Sequence, residues 1–270
     1  MKKAGYVITG TERSYLPACD DPEIRIILIR AQEMARYVEL GAIDAGITGY
    51  DWIVENRADV KQIAELLYAK RGMRPVRWVL AVPEDSPYKK PGDLKNGKIA
   101  TEAVSIAKSY LKKNKIPCDV EFSWGATEIK PPLLADAIIE LTETGSSLRA
   151  NNLRIIDTVL ESTTRLIMNK QAFRDSWKRA KVEALATLIQ GALQAETRVG
   201  LKLNVPVSRK DDILDILPSM KNPTISHLAT EGWCAIETVL EEKQVRELIP
   251  ALKKSGARDI IEYPLNKVIP

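Results

Sequence analysis

Residues Ala137 to Leu141 form a short, mostly apolar run without Gly or Pro, bracketed by Asp136 and Glu143. It lacks the strict alternation of a hairpin arm with one wet face, and suits a strand buried on both faces in a parallel sheet. That single strand already points to an α/β protein, because both of its faces must be covered.

The run ends in an abrupt polar turn. Thr144-Gly145-Ser146-Ser147 gathers three hydroxyls around a glycine. Two readings are open: a solvated turn, or a cradle in which backbone N–H groups and hydroxyls converge on one phosphate. Glu140 and Glu143 stand just before it, where a carboxylate can accept from sugar hydroxyls or help to hold a hard cation.

With 270 residues, 45% of them hydrophobic, the chain can bury a substantial core in two or three compact parts. The net charge of +4 is spread along the chain, without a basic arm, and no zinc-finger, RNP or helix-turn-helix pattern points to nucleic acid. Small anionic ligands fit such a surface equally well. Cys19, Cys118 and Cys234 lie far apart, which argues against a disulfide framework or structural zinc and for a reducing compartment. Charged residues interrupt every apolar run short of a membrane span, so a cytoplasmic protein with no membrane partner is expected. The sole histidine, His227, reads as a partly exposed loop residue rather than the centre of a triad.

Along the chain, Lys3-Ala4-Gly5 reads as the end of a helix. The β-branched run Ile24 to Ile29 predicts a strand. Ala31 to Leu40 places Met34, Tyr37 and Val38 at helical spacing and closes on Gly41. With a strand at Asp44 to Thr48, these make a βαβ-like unit whose ligands gather at the carboxyl ends of the strands. Thr48, Gly49 and Asp51 stand at such an end, where Asp51 either caps the following helix or touches a ligand. Arg30 and Arg77 fall beside strand ends. Trp78 to Val82 is a strand, and residues 83–87 form a turn-rich exit where the chain is expected to cross into a second lobe. Strands at Lys98 to Thr101 and Asp119 to Phe122, a helix at Ser105 to Lys113 and the polar loop belong there. Asp157 to Met168 reads as one long strand returning to the first lobe, and Asp175 opens a long helix. From Val199 the order is strand, helix, a short strand near Thr224, strand, helix, strand: βαββαβ, a ferredoxin-like unit.

The loop region from Ala135 to Leu153 resembles the phosphoribosyl-pyrophosphate loop of the ATP phosphoribosyltransferase family, which opens histidine biosynthesis. The resemblance extends through Asp157-Thr158-Val159-Leu160-Glu161-Ser162-Thr163. Upstream it takes in Asp44-Ala45-Gly46-Ile47-Thr48-Gly49-Tyr50-Asp51, Leu80-Ala81-Val82-Pro83 and Lys98-Ile99-Ala100-Thr101-Glu102. The family often has Asp where Glu140 stands.

The resemblance implies a bilobal, periplasmic-binding-protein-like catalytic part. Lobe I would comprise residues 1–84 and 157–196, lobe II residues 85–156, and a ferredoxin-like regulatory domain residues 197–270. It implies transfer of phosphoribosyl from 5-phosphoribosyl-1-pyrophosphate to N1 of ATP with Mg²⁺ and without a covalent nucleophile. Glu140, Glu143, Thr144, Gly145, Ser146 and Ser147 would take the sugar pyrophosphate, with Glu140 and Glu143 near the metal. Arg30, Thr48, Gly49, Asp51 and Arg77 would line the ATP side. Asn204, where the family often has Asp, and Thr224 match positions that bind L-histidine, the feedback inhibitor; the bland reading makes both of them turn residues. Residues 60–68, helical by spacing, become a strand. A homo-oligomer is implied, a dimer passing to a hexamer. Family members normally begin with a strand, a basic loop and a helix ending in a similar Lys-Ala-Gly. The chain is therefore expected to lack that segment, through truncation or as a less stable or inactive variant. The competing function is a non-catalytic bilobal binder or a histidine-sensing regulatory paralogue.

Overall fold

The alternating apolar runs and amphipathic helices form two units in the computed structural model, which describes residues 1–11, 14–67, 75–218 and 223–269. One unit comprises Glu12–Pro17 and Ile26–Ala186; the other comprises Met1–Thr11, Ala18–Arg25 and Thr187–Pro270. In the second, two-residue strands β1 (Ile8–Thr9) and β2 (Ala18–Cys19) pair antiparallel, after a single turn of 3₁₀ helix, Lys2–Ala4, that stops at Gly5 as expected.

The larger unit opens with α1 (Ala31–Glu39), β3 (Ala45–Gly49), α2 (Tyr50–Glu55) and β4 (Lys61–Leu66). It continues with β5 (Val76–Pro83), β6 (Lys98–Thr101), α3 (Val104–Asn114) and β7 (Asp119–Phe122). Then come β8 (Ala137–Thr142), α4 (Ser146–Ala150), β9 (Leu153–Ser162), β10 (Thr164–Met168) and α5 (Lys170–Arg174). These strands build two sheets, ordered β3-β10-β4 and β7-β6-β8-β5-β9. In the larger sheet Val79, Leu80, Ala81, Ile138 and Ile139 are fully buried, which is why β5 and β8 read as continuous apolar runs. The sheet is mixed: β8 runs parallel to β6 but antiparallel to β5.

Asp175 lies between α5 and α6 (Ser176–Gln194), and its carboxylate accepts from the N–H groups of Trp177 and Lys178 at 3.0 and 3.1 Å, an N-cap. In the smaller unit β11 (Arg198–Pro206), α7 (Lys210–Ile216), β12 (Thr224–His227), β13 (Trp233–Glu241), α8 (Glu242–Lys254) and β14 (Arg258–Pro264) follow in turn. Their antiparallel sheet has the order β12-β13-β11-β14, the ferredoxin-like arrangement. Alternate residues Leu201, Leu203, Val205, Cys234 and Ile236 pack with Ile213, Val245 and Leu252 from the helices. The opposite face carries Lys202, Asn204 and Glu237 beside Ala235 and Val239.

Four sequence expectations are corrected. Ile24 to Ile29 is not a strand: β propensity needs a partner ladder, and among the described residues its backbone bonds are Leu28 N–H to the Tyr15 carbonyl at 2.8 Å and Ile24 N–H to the Asp21 carbonyl at 3.1 Å. The crossing between sheets does not fall at residues 83–87, because β5 already belongs to the sheet of β6 and β8. Residues 157–168 are not one strand; they break at Thr163, with β9 in the larger sheet and β10 in the smaller. His227 is exposed but lies in β12, not in a loop. The strand reading of residues 60–68 holds for β4, and Tyr68 lies outside the described residues.

One side chain of α2 caps α3. Ala103, which precedes α3, has no side-chain acceptor for the orphan N–H groups of the helix. Glu55, at the end of α2, supplies it: its two carboxylate oxygens accept from Ser105 and Ile106 N–H, each at 2.9 Å. Glu55→Ala is expected to lower stability by about 1–2 kcal/mol, seen as a lower denaturation midpoint. Glu55→Gln, with a single oxygen acceptor, should fall between.

Candidate active site

The polar loop sits where β8 leaves the core. Gly145 has φ of +73°, in the left-handed region, and is the N-cap of α4. A Cβ there would lie 3.0 Å from Arg149 Nη1, so a side chain meets both strain and crowding. Its N–H donates to Thr142 Oγ1 at 2.7 Å, tying the turn to the end of β8. Thr144 Oγ1 donates to Ser146 Oγ at 3.0 Å, and Arg149 Nη1 donates to the Thr144 carbonyl at 3.1 Å. Thr144, Ser146 and Ser147 are exposed, so three hydroxyls and a cation from one short segment face solvent together.

Two further residues complete this corner. Arg77 on β5 stands opposite Thr142 on β8, so the two side chains share a sheet face beside the loop. Ser147 Oγ donates to Glu128 Oε1 at 2.6 Å. The turn carrying Glu128 is fixed by Ala126 at φ +49° and by buried Thr127, whose Oγ1 lies 2.9 Å from Ser123 Oγ. No spacing rule marks Glu128, because it lies 19 residues before Ser147, in the turn between β7 and β8, and only the fold brings the two together.

Glu140, on β8, points to the same acidic corner. Burial pushes its carboxyl above the ordinary value of 4.5; bonds from Leu141 N–H and the Thr127 hydroxyl oppose the shift, and the Glu128 and Glu102 carboxylates add to it. A raised folded pKa means that the ionised form works against folding as pH rises from 4.5 through the folded value. Glu140→Gln should therefore be more stable at neutral pH and lose less stability between pH 4.5 and 7. Thermal unfolding across that range checks it, and parallel curves for the two proteins would refute it. Among the described residues no group of three or more His, Cys, Asp or Glu side chains is arranged to hold a metal ion alone. Surplus negative charge and hard oxygen donors at Glu140 nevertheless suit a cation that arrives already ligated by phosphate.

The other candidates gather around α2. Thr48 is buried and its Oγ1 donates to the Ala31 carbonyl at 2.7 Å, at the start of α1. Gly49, not Asp51, is the N-cap of α2. A Cβ at Gly49 would lie 2.0 Å from Asp51 Oδ1, which is why the chain needs glycine there. Asp51 is buried at 3% exposure, with Oδ1 accepting from Trp52 N–H at 3.0 Å and Oδ2 from Trp78 Nε1 at 2.8 Å. Its oxygens are thus engaged within the protein. Arg30 is the exposed N-cap residue of α1. Arg165, which the sequence did not single out, faces Thr48 across the β3·β10 ladder and lies over the Tyr50 ring at 5.6 Å. Its Nε is buried and lacks an acceptor among the described residues. Arg77 joins the loop corner, whereas Arg30, Thr48, Gly49 and Asp51 stay together near α2.

A family model described as ATP phosphoribosyltransferase matches residues 30–191, and a model for the C-terminal domain of the same family matches residues 195–267. The chain belongs to the ATP phosphoribosyltransferase family. The ATP phosphoribosyltransferase of Chlorobium luteolum is 58% identical over 266 residues, 98% of this chain and 90% of the relative. That of Thermodesulfovibrio yellowstonii is 58% identical over 270 residues, 100% of this chain and 92% of the relative. Among solved structures, an ATP phosphoribosyl transferase (HisG:HisZ) complex from Thermotoga maritima aligns with a TM-score of 0.59 and 26% identity, over 70% of this chain and 90% of that one.

In this ATP phosphoribosyltransferase relative the first matched span contains the loop and the α2 group, and the second contains the ferredoxin-like unit. Asn204 on β11 pairs with Ala235, and Thr224 on β12 pairs with Glu237 two residues further along β13. Their side chains share the sheet face opposite α7 and α8. Among the described residues no helix is long and apolar enough to cross a membrane.

Proposed function

We propose that the chain transfers the phosphoribosyl group of 5-phosphoribosyl-1-pyrophosphate to N1 of ATP, the first step of L-histidine biosynthesis, with feedback inhibition by histidine. The observation that carries this reading is the left-handed Gly145 turn with its outward hydroxyls, at the end of a buried strand, within the span matched by the family model. The backbone and hydroxyls of Thr144, Gly145, Ser146 and Ser147 bind the 5-phosphate, and Arg149 and Arg77 add positive charge. Phosphate arriving at Ser147 takes the hydroxyl that now donates to Glu128.

The adenine nitrogen forms the new bond to the anomeric carbon, and the carbon–oxygen bond to pyrophosphate breaks with its electron pair leaving on that oxygen. No side chain needs to act as nucleophile. The protein contributes by holding two polyanions in line and by fixed dipoles aimed at developing charge. The divalent cation of this chemistry is read as Mg²⁺, which when bound neutralises charge on the pyrophosphate. Glu140 and Glu143 are the residues that would hold it, beside the ribose. Arg30, Thr48, Gly49 and Asp51 are assigned to the ATP side, where Asp51 acts by shaping α2 rather than by touching nucleotide.

Asn204 and Thr224 are assigned to a histidine-sensing site in the ferredoxin-like domain. The division into two catalytic lobes and a regulatory domain, a homo-oligomer passing from dimer to hexamer with histidine, and a cytoplasmic location belong to the same reading. Mixing the purified chain with ATP, phosphoribosyl pyrophosphate and Mg²⁺ should give an ultraviolet-absorbing product whose formation histidine suppresses. Absence of product from folded protein would overturn the enzyme reading in favour of a binding protein.

A further inference from the structure

The edge of the ferredoxin-like sheet carries an irregularity beside Asn204. Along β11 the pairing advances two residues, from Lys202 to Asn204, while along β14 it goes back three, from Ile261 to Arg258. One extra residue is therefore accommodated on β14, a β-bulge, and such bulges re-aim side chains. Within it Asp259 has φ of +47°, the left-handed region that few non-glycine residues adopt and that Asp and Asn tolerate best. Asp259 Oδ2 accepts from Asn204 Nδ2 at 2.9 Å.

Next to it Arg258, the register partner of Asn204, has its guanidinium 5.2 Å from the centre of the Trp233 ring. Among the described residues neither Asp259 nor Arg258 forms an ion pair, although they are adjacent in the chain. Two exposed opposite charges are thus presented side by side without cancelling each other. An anion with an amide beside it and a cation one residue away complements the head group of an α-amino acid.

We infer that Asp259 is the carboxylate that receives the α-ammonium of the amino-acid ligand in this domain, supplying the charge that Asn204 lacks, while Arg258 faces the ligand's carboxylate. Bonding to Asp259 through its amide N–H leaves Asn204 Oδ1 as a second acceptor for the ammonium. This rests on the histidine-sensing reading above.

The test compares L-histidine with imidazole propionate, which lacks the ammonium, by calorimetry on the full-length wild type, Asp259→Asn and Asp259→Gly. Asn keeps the shape and tolerates the same backbone; Gly removes the side chain and relieves the positive φ. Both variants should bind histidine about tenfold or more weakly. Both should bind imidazole propionate as the wild type does, and the transferase rate without histidine should be unchanged. If Asp259→Asn binds histidine within about twofold of the wild type, or loses both ligands equally, the assignment of Asp259 is wrong. If the wild type takes up no histidine, the sensor reading fails and takes this inference with it. A loss that tracks lower melting temperature rather than the missing charge would also overturn it, and the glycine variant separates the two.

Discussion

Gly145→Val should weaken binding of phosphoribosyl pyrophosphate by about thirtyfold or more while the ferredoxin-like domain continues to bind histidine. The backbone at Gly145 is left-handed, and a β-branched residue there is a strong outlier. Its Cβ would also press on Arg149 Nη1 at 3.0 Å, the guanidinium that holds the Thr144 carbonyl. Relaxing either conflict turns the Gly145 N–H away from Thr142 and scatters the hydroxyls beside it. Contacts to phosphate are charge-assisted, so losing their alignment should cost roughly 2 kcal/mol or more, about thirtyfold in affinity. Calorimetry with phosphoribosyl pyrophosphate and, separately, with histidine reads both halves. Unchanged affinity for the sugar pyrophosphate would remove the loop from the site.

Trp78→Phe should be the more damaging change for the fold. Trp78 is 1% exposed, and its indole N–H is the donor to Asp51 Oδ2. Phenylalanine keeps an aromatic ring against Trp52, now 5.8 Å away edge to face, but leaves a buried carboxylate oxygen without that donor. Removing one partner of a buried charged contact costs about 3 kcal/mol or more, beyond the smaller ring's poorer packing. Denaturant titration should show the drop. A second change, Asp51→Leu, in the same chain should recover part of it by removing the stranded charge. If the double variant is less stable than Trp78→Phe by the full effect of Asp51→Leu alone, the two side chains are not coupled and this account fails.

Much of this could be read from residues alone. The apolar runs of β5 and β8 announce buried strands, and the strand–helix order after Val199 gives the ferredoxin-like unit, because hydrophobic period and turn residues are local properties. Ile24 to Ile29 shows where such reading stops: a run with four isoleucines in six residues forms no ladder, since pairing depends on what lies alongside. Assigning strands to sheets failed for the same reason at β5 and at residues 157–168. In the site, the loop was legible because all its donors are consecutive. Glu128, Arg165 and Glu55 were not, because each reaches its place through tertiary structure, and the bulge that turns Asp259 toward Asn204 leaves no trace in composition or spacing.

Thr163 alone separates β9 from β10, so one continuous backbone is woven into both sheets of the larger unit. It is also held at both ends: its carbonyl accepts from Tyr50 N–H at 2.9 Å and its hydroxyl donates to Glu65 at 2.6 Å. The chain passes between these sheets a second time from β4 to β5, so a swing of one sheet relative to the other turns on two covalent crossings, of which Thr163 is the single-residue one.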